Sequence, residues 1–211
     1  MKKKILLIIA IIFSLLAVLS VYAFFNFPTK ADGYDFSHHN KNIKWDKLDV
    51  KFVYLKATEG YTFKDLTYKK YLDQARKHGL KVGAYHFMQT SSGKKQFEHF
   101  KSFVGRKFDL IPVLDIEIPG LKDSDIKDFI EACEKYYGVK PMVYLNLFYR
   151  LKHWSAIKGC KVWISNKFPL LLVWDYYLWQ YAVEKVNGED VDHNALNPRH
   201  SLSEIEMPSR K

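Results

Sequence analysis

Leu110-Ile111-Pro112-Val113-Leu114-Asp115-Ile116-Glu117 is a short apolar run that closes on two carboxylates. Its first five residues carry no polar side chain, as in a strand covered on both faces, which is the condition of a parallel sheet. Similar runs flank it. Lys51-Phe52-Val53-Tyr54-Leu55-Lys56 reads as a strand entering a loop at Ala57-Thr58-Glu59-Gly60, and Lys81 to Phe87 reads as another. Pro141 to Leu145, Val162 to Ile164 and Tyr177 to Tyr181 follow downstream. Helical patterns lie between the earlier runs. Over 64–79, Leu66, Tyr68, Tyr71, Leu72 and Ala75 recur at helical spacing, and Gly79 closes the helix. A second helix opens at Ser91-Ser92-Gly93 and runs to Val104, and a third spans about Ser124 to Tyr137 before Gly138. Repeated βα units followed by a strand-rich end predict an α/β fold, a parallel TIM-like barrel with an irregular closing portion. The barrel is expected over 31–197, and the polar, aperiodic residues 198–211 read as a frayed tail.

Composition agrees with one globular domain: 211 residues, 48% hydrophobic and 27% charged, with 10 Gly and 7 Pro. Disordered, collagen-like and coiled-coil chains are excluded. The net charge is +10, but Lys2, Lys3, Lys4 and Lys30 precede any acid, leaving 29 basic against 23 acidic residues in the rest. Such a surplus suits an anionic partner without choosing one. Cys133 and Cys160 are too few for a disulfide framework and lack zinc-type spacing, although they could pair outside the cytoplasm.

Met1-Lys2-Lys3-Lys4 is followed by 21 uncharged residues from Ile5 to Phe25. At ~1.5 Å per residue that run reaches ~30 Å, enough to span a bilayer. Residues 1–30 are therefore a hydrophobic helix that is either a retained membrane anchor, through residues 5–25, or a signal peptide cleaved after Ala23. Either way the lysines keep the N-terminus in the cytoplasm and send the domain outward, which disfavours a nucleic-acid partner.

Functional groups of such a barrel gather where strands meet the following loops. Asp35, Asp115, Glu117 and Asp192 sit at or near such ends. Asp115 and Glu117, two apart on a strand, point to the same side with Cα atoms roughly 6.5–7 Å apart. Held in a cleft, their repulsion raises one pKa and yields a protonated acid beside an ionised base, the division of labour that glycosidic cleavage requires. Two exposed acids at a strand end is the plainer alternative. Glu59 reads as a loop residue, and Tyr85, Tyr144 and Trp179 as core aromatics, when each is taken alone. Alternation puts Trp179 and Tyr181 on one face and Gln180 on the other, and a Trp179 face turned to the barrel mouth would meet a sugar ring. His38-His39 has no second cluster of metal-ligating residues at zinc-type spacing, so no metal site is expected.

Taken together, the segments Gly33-Tyr-Asp35-Phe-Ser, Tyr54-Leu-Lys-Ala-Thr-Glu59-Gly, Gly83-Ala-Tyr85-His-Phe, Pro112-Val-Leu-Asp115-Ile-Glu117, Pro141-Met-Val-Tyr144, Val162-Trp-Ile, Leu178-Trp179-Gln-Tyr and Val191-Asp192-His-Asn194 resemble, in order, the family-25 glycoside hydrolases, lysozymes that cleave peptidoglycan. The chain departs from the family pattern at Phe36 and Lys41. The resemblance implies a modified (β/α)5β3 barrel, no cofactor, and a monomer acting on the β-1,4 bond between N-acetylmuramic acid and N-acetylglucosamine of bacterial peptidoglycan. It implies Glu117 as general acid and Asp115 as the group that orients the substrate N-acetyl, or alternatively as a direct nucleophile. Asp35 and Asp192 would complete an acidic floor, while Glu59, Tyr85, Tyr144 and Trp179 would bind the sugar. A wall-binding barrel without catalysis, and a hydrolase of another N-acetylated glycan, are the competing readings.

Overall fold

The computed structural model describes residues 2–167 and 175–208. Helix α1 (Lys2–Asn26) precedes the domain. Its side chains are described over 4–15 and at 17 and 18, and among the described residues no helix is long and apolar enough to cross a membrane.

The domain alternates as expected. Strands β1 (Gly33–Phe36), β2 (Phe52–Glu59) and β3 (Phe63–Lys64) lead into α2 (Tyr68–Lys77) and β4 (Lys81–Phe87). Then come α3 (Gly93–Val104), β5 (Val113–Asp115), α4 (Asp123–Tyr137), β6 (Met142–Asn146) and α5 (Leu147–Lys152). Strands β7 (Val162–Ser165), β8 (Leu178–Val186) and β9 (Glu189–Leu196) complete the order. Adjacent pairs from β1 through β2, β4, β5, β6 and β7 to β8 are parallel. β9 runs antiparallel to both β8 and β1, and that pairing closes an eight-stranded barrel, with β3 added to the end of β2.

Period-two alternation sorts each strand between two cores. Val53, Leu55, Val82, Ala84, Leu114, Val143 and Ile164 pack outward under Phe97, Phe100, Ile126 and Phe129 of α3 and α4. Phe52, Tyr54, Val113, Met142, Trp163 and Leu178 fill the inside. Two glycines make this filling possible: a Cβ on Gly33 would lie 2.3 Å from the Phe52 ring, and one on Gly83 would lie 2.0 Å from that of Tyr54. Rings take the volume that side chains there would occupy.

Four local expectations differ from the structure. β2 continues through Ala57-Thr58-Glu59, where a register shift between Lys56 and Thr58 accommodates pairing with β4. α2 starts at Tyr68, and Leu66, expected on its buried face, is 86% exposed. β5 is shorter than the apolar run because Pro112 has no N–H for a ladder, and Leu110 instead bonds to the Val82 carbonyl. Within the expected tail, 201–207 are ordered, and 209–211 lie outside the described residues. A short 3-10 helix, Leu202–Ile205, sits beneath the barrel with Ile205 fully buried, the Ile205 carbonyl accepting from Ile111 N at 2.8 Å. Cys133 and Cys160 are both free thiols.

Candidate active site

Burial on all sides makes the lower barrel apolar, so the polar inward residues collect at the other end, where the parallel strands finish. They line a cavity of about 390 Å³ whose walls include Asp35, Lys56, Tyr85, Asp115, Glu117, Tyr144, Trp163, Gln180 and Asp192. All four carboxylates expected at strand ends are brought together there.

Asp35 and Asp192 face each other across the β1–β9 ladder. Asp35 Oδ2 accepts from Asn194 Nδ2 at 2.8 Å and from Gln180 Nε2 at 3.3 Å. Both amides are pinned from behind. Trp163 Nε1 donates to Asn194 Oδ1 at 2.9 Å, and the Tyr144 hydroxyl donates to Gln180 Oε1 at 2.6 Å. Burial, and then the neighbouring Asp192 charge, push the Asp35 pKa well up against these donors. Burial pushes Asp192 up to about 6.

Asp115 ends β5 only 6% exposed, and its Oδ1 is buried with no hydrogen-bond partner. Burial, followed by the Glu117 charge, raises its pKa well above the carboxylate range. Ile116 N bonds to the Tyr144 carbonyl at 2.8 Å, carrying the ladder one residue further, so that Glu117 emerges at the mouth and reaches solvent. Partial burial and then the Asp192 charge raise Glu117, while Lys56 draws it down.

Lys56 is the cation of this wall, and sequence reasoning missed its place there. It is 8% exposed, its Nζ lies 2.7 Å from Glu59 Oε2 and 4.7 Å from the Phe87 ring centre. Glu59 does not line the cavity as expected. Burial works to raise its pKa, but Lys56 and the Gln89 amide overcome this and hold it low. Glu59 therefore acts on Lys56. Gln180 and Asn194 were also missed as site residues. Asn194, two residues after Asp192 on β9, shares its face by strand alternation, which is the signal that could have found it.

Tyr85 and Tyr144 line the cavity as expected, but Trp179 does not. The alternation along β8 is as read, with the faces exchanged: Gln180 points inward. Trp179 is 4% exposed on the outer side, its Nε1 donating to Asn166 O at 2.7 Å and its ring 5.5 Å from that of Phe27. Trp163 provides the indole of the cavity instead. His86, next to Tyr85, points outward and is fully buried, and burial pushes its pKa down to about 3. Gln96 donates its amide to two carbonyls, which fixes its oxygen as acceptor from His86 Nε2, so Nδ1 accepts from Thr58 Oγ1. His38 bonds to buried Asp65 at 2.9 Å, and among the described residues no three His, Cys, Asp or Glu side chains are grouped to hold a metal ion.

A cavity with one solvent-reaching carboxyl, one deeply buried carboxyl and two further aspartates of raised pKa on its floor can deliver a proton and then take one back. Residues 34–188 match the pattern of Glycosyl hydrolases family 25. The autolytic lysozyme of Clostridium acetobutylicum is 32% identical over 124 residues, covering 56% of this chain and 38% of that protein. Lysozyme M1 of Streptomyces globisporus is 28% identical over 197 residues, covering 78% of this chain and 67% of its own length. The solved bacterial lysozyme from Streptomyces coelicolor superposes with a TM-score of 0.73 at 26% identity, covering 85% of this chain and 96% of that one.

Proposed function

This chain belongs to family 25 of the glycosyl hydrolases, and we propose that it is a muramidase that hydrolyses the β-1,4 bond between N-acetylmuramic acid and N-acetylglucosamine in bacterial peptidoglycan. The observation that carries this reading is the Asp115–Glu117 pair: two carboxyls on one strand end, both with raised pKa, one buried without a partner and the other open to the cavity mouth.

Glu117 donates its proton to the glycosidic oxygen as the bond from the anomeric carbon to that oxygen breaks. The carbonyl oxygen of the substrate's own N-acetyl group closes on the anomeric carbon. The acetamido N–H supplies the donor that buried Asp115 Oδ1 lacks, which draws its raised pKa back down so that the carboxylate balances the positive charge that develops. Glu117, now a carboxylate, takes a proton from water as its oxygen adds to that carbon and reopens the ring. Asp35 and Asp192 hold negative charge beneath the sugar and keep Glu117 protonated. Tyr85, Tyr144 and Trp163 supply the aromatic wall. Every group comes from one chain, which supports a monomeric catalyst.

The site of action in this proposal is the outer side of the cytoplasmic membrane. Support comes from the 21 uncharged residues 5–25 behind three lysines, and from apolar side chains left in the open along α1, among them Leu6, Phe13 and Val18 at 65, 70 and 68% exposure. Mass analysis of fragments from purified peptidoglycan tests the bond assignment: reducing N-acetylmuramic acid ends are expected, and reducing N-acetylglucosamine ends would refute it.

A further inference from the structure

Four large apolar side chains stand in water within eight residues on one wall of the barrel. α5 buries Tyr149, yet Leu147, Phe148, Leu151 and Trp154 are 37, 66, 67 and 67% exposed. Steps of three and four residues place them on one side of the helix and its exit turn. Grouped exposure of this kind marks a contact surface.

Charge is segregated over the same stretch. Between Glu134 and Asp175 the sequence contains seven lysines and arginines and no acid. Lys152 and Lys158 are exposed beside the apolar group, and Asp123, the acid that the fold brings against its exit turn, is held by His153 at 2.6 Å and Ser155 at 3.3 Å. Apolar side chains rimmed by cations suit a bilayer with anionic headgroups, where the rings reach the acyl boundary and the ammonium groups stay among the phosphates. Branched aliphatic residues such as Leu147 and Leu151 offer a sugar neither a flat face nor a hydrogen bond, and none of the four lines the catalytic cavity.

The chain's own N-terminus approaches the same wall. Arg150 Nη2 donates to the Asp175 carbonyl at 3.1 Å, tying α5 to the entry of β8. Phe27, the residue after α1, packs on Trp179 and Tyr181 of β8 with ring centres 5.5 and 5.6 Å apart. From this continuity we infer that the α5 wall, led by Phe148, Leu151 and Trp154, rests on the anionic surface of the membrane that holds α1. The inference depends on residues 5–25 being a retained anchor and not a signal peptide cleaved after Ala23. Its consequence is an oriented enzyme, with its cavity held beside the bilayer and facing membrane-proximal glycan.

The test uses the full chain in phosphatidylcholine vesicles containing phosphatidylglycerol and an acyl-chain nitroxide lipid. A fluorophore is placed on Leu151→Cys or, for comparison, on Leu66→Cys, with the signal from unsubstituted chain subtracted. Leu66 is 86% exposed and follows β2 and β3, across the barrel from β7. Lipid quenching at 151 at least ~3-fold stronger than at 66 is expected for interfacial insertion. Equal quenching at the two positions in vesicle-bound protein overturns the docking surface and leaves the anchor standing. Failure of the chain to co-sediment with vesicles overturns both. Shielding of the 151 label by soluble glycan fragments, without lipid quenching, assigns the patch to the glycan and also overturns the inference.

Discussion

Asp35 on β1 and Asp192 on β9 are direct partners in the antiparallel pair that closes the barrel. Cross-strand partners have Cβ atoms about 4.5–5.5 Å apart, too close for two buried carboxylates to ionise independently. Burial and the Asp192 charge push Asp35 well up, while burial pushes Asp192 up to about 6. Asp35 Oδ2 accepts from two pinned amides, which oppose that rise. Asp192 also acts on Glu117. The strand pairing that completes the fold thus adds, after burial, to the raised proton affinity of Glu117, the proposed catalytic acid.

Asp192→Asn and Lys56→Met should move the alkaline limb of the kcat/KM profile in opposite directions. Removing the Asp192 charge lowers the Glu117 pKa, and removing the Lys56 charge raises it. Each shift is expected on the order of one pH unit for charges a few ångströms apart in a partly wet cavity. Rates on soluble glycan between pH 4 and 9 decide this. Movement of both limbs in the same direction would show that the cavity charges do not control Glu117.

The same aspartate makes stability depend on pH. Asp192 titrates at about 6 in the fold and at ~3.9 in an unfolded chain. Its contribution is full below ~4 and is lost as pH rises through about 6. Asparagine avoids that loss, so the Tm of Asp192→Asn relative to the parent should rise between pH 4.5 and 7.5. Calorimetry at the two values tests it, and a constant difference would contradict the raised pKa.

Trp179→Phe should weaken the fold and spare catalysis. It removes the donor to the Asn166 carbonyl and some packing on Phe27, a loss of about 0.5–1.5 kcal/mol for one hydrogen bond. kcat/KM is expected within ~2-fold of the parent, since outward packing touches no substrate. A large catalytic loss with unchanged Tm would return the residue to the sugar site.

Legibility differed by kind of signal. The buried parallel strands announced themselves as apolar runs, and β4 begins and ends where its sequence says. Asp115 and Glu117 were legible because an apolar strand has no structural use for two carboxylates, whereas Asp35 and Asp192 were marked only by their position at strand ends. The direction of a half-buried strand's faces was not legible from alternation alone. Trp179 and Gln180 alternate either way, and only closure by β9 fixes which one turns inward. Two features carried local signals that were not used. Asn187-Gly188, at φ 54° and 95°, is the tight hairpin turn that joins β8 to β9. Ser201-Leu202-Ser203-Glu204 is a capping box that starts the last 3-10 helix. Lys56 stayed hidden because a lone lysine in a strand is ordinarily a surface residue, and its burial depends on Glu59 and Phe87 at the ends of β2 and β4.

Ile205→Ala tests whether the chain end belongs to the fold. The side chain is fully buried among Leu110, Ile111 and Phe52 beneath the barrel. Truncation should cost about 2–5 kcal/mol in urea unfolding. A change below ~0.5 kcal/mol, the scale of a surface substitution, would mean the tail is dispensable.

The central claim is that Glu117 is the proton donor for glycosidic cleavage. The most direct measurement is the rate at which Glu117→Gln releases reducing N-acetylmuramic acid ends from purified peptidoglycan, alongside its melting curve. Glutamine keeps the shape and cannot supply the proton, so the rate should fall at least ~10²-fold, and the Tm should not fall, because the side chain reaches solvent and its raised pKa makes the charge unfavourable in the fold. Release of those ends at the parent rate by a folded Glu117→Gln protein would contradict the claim.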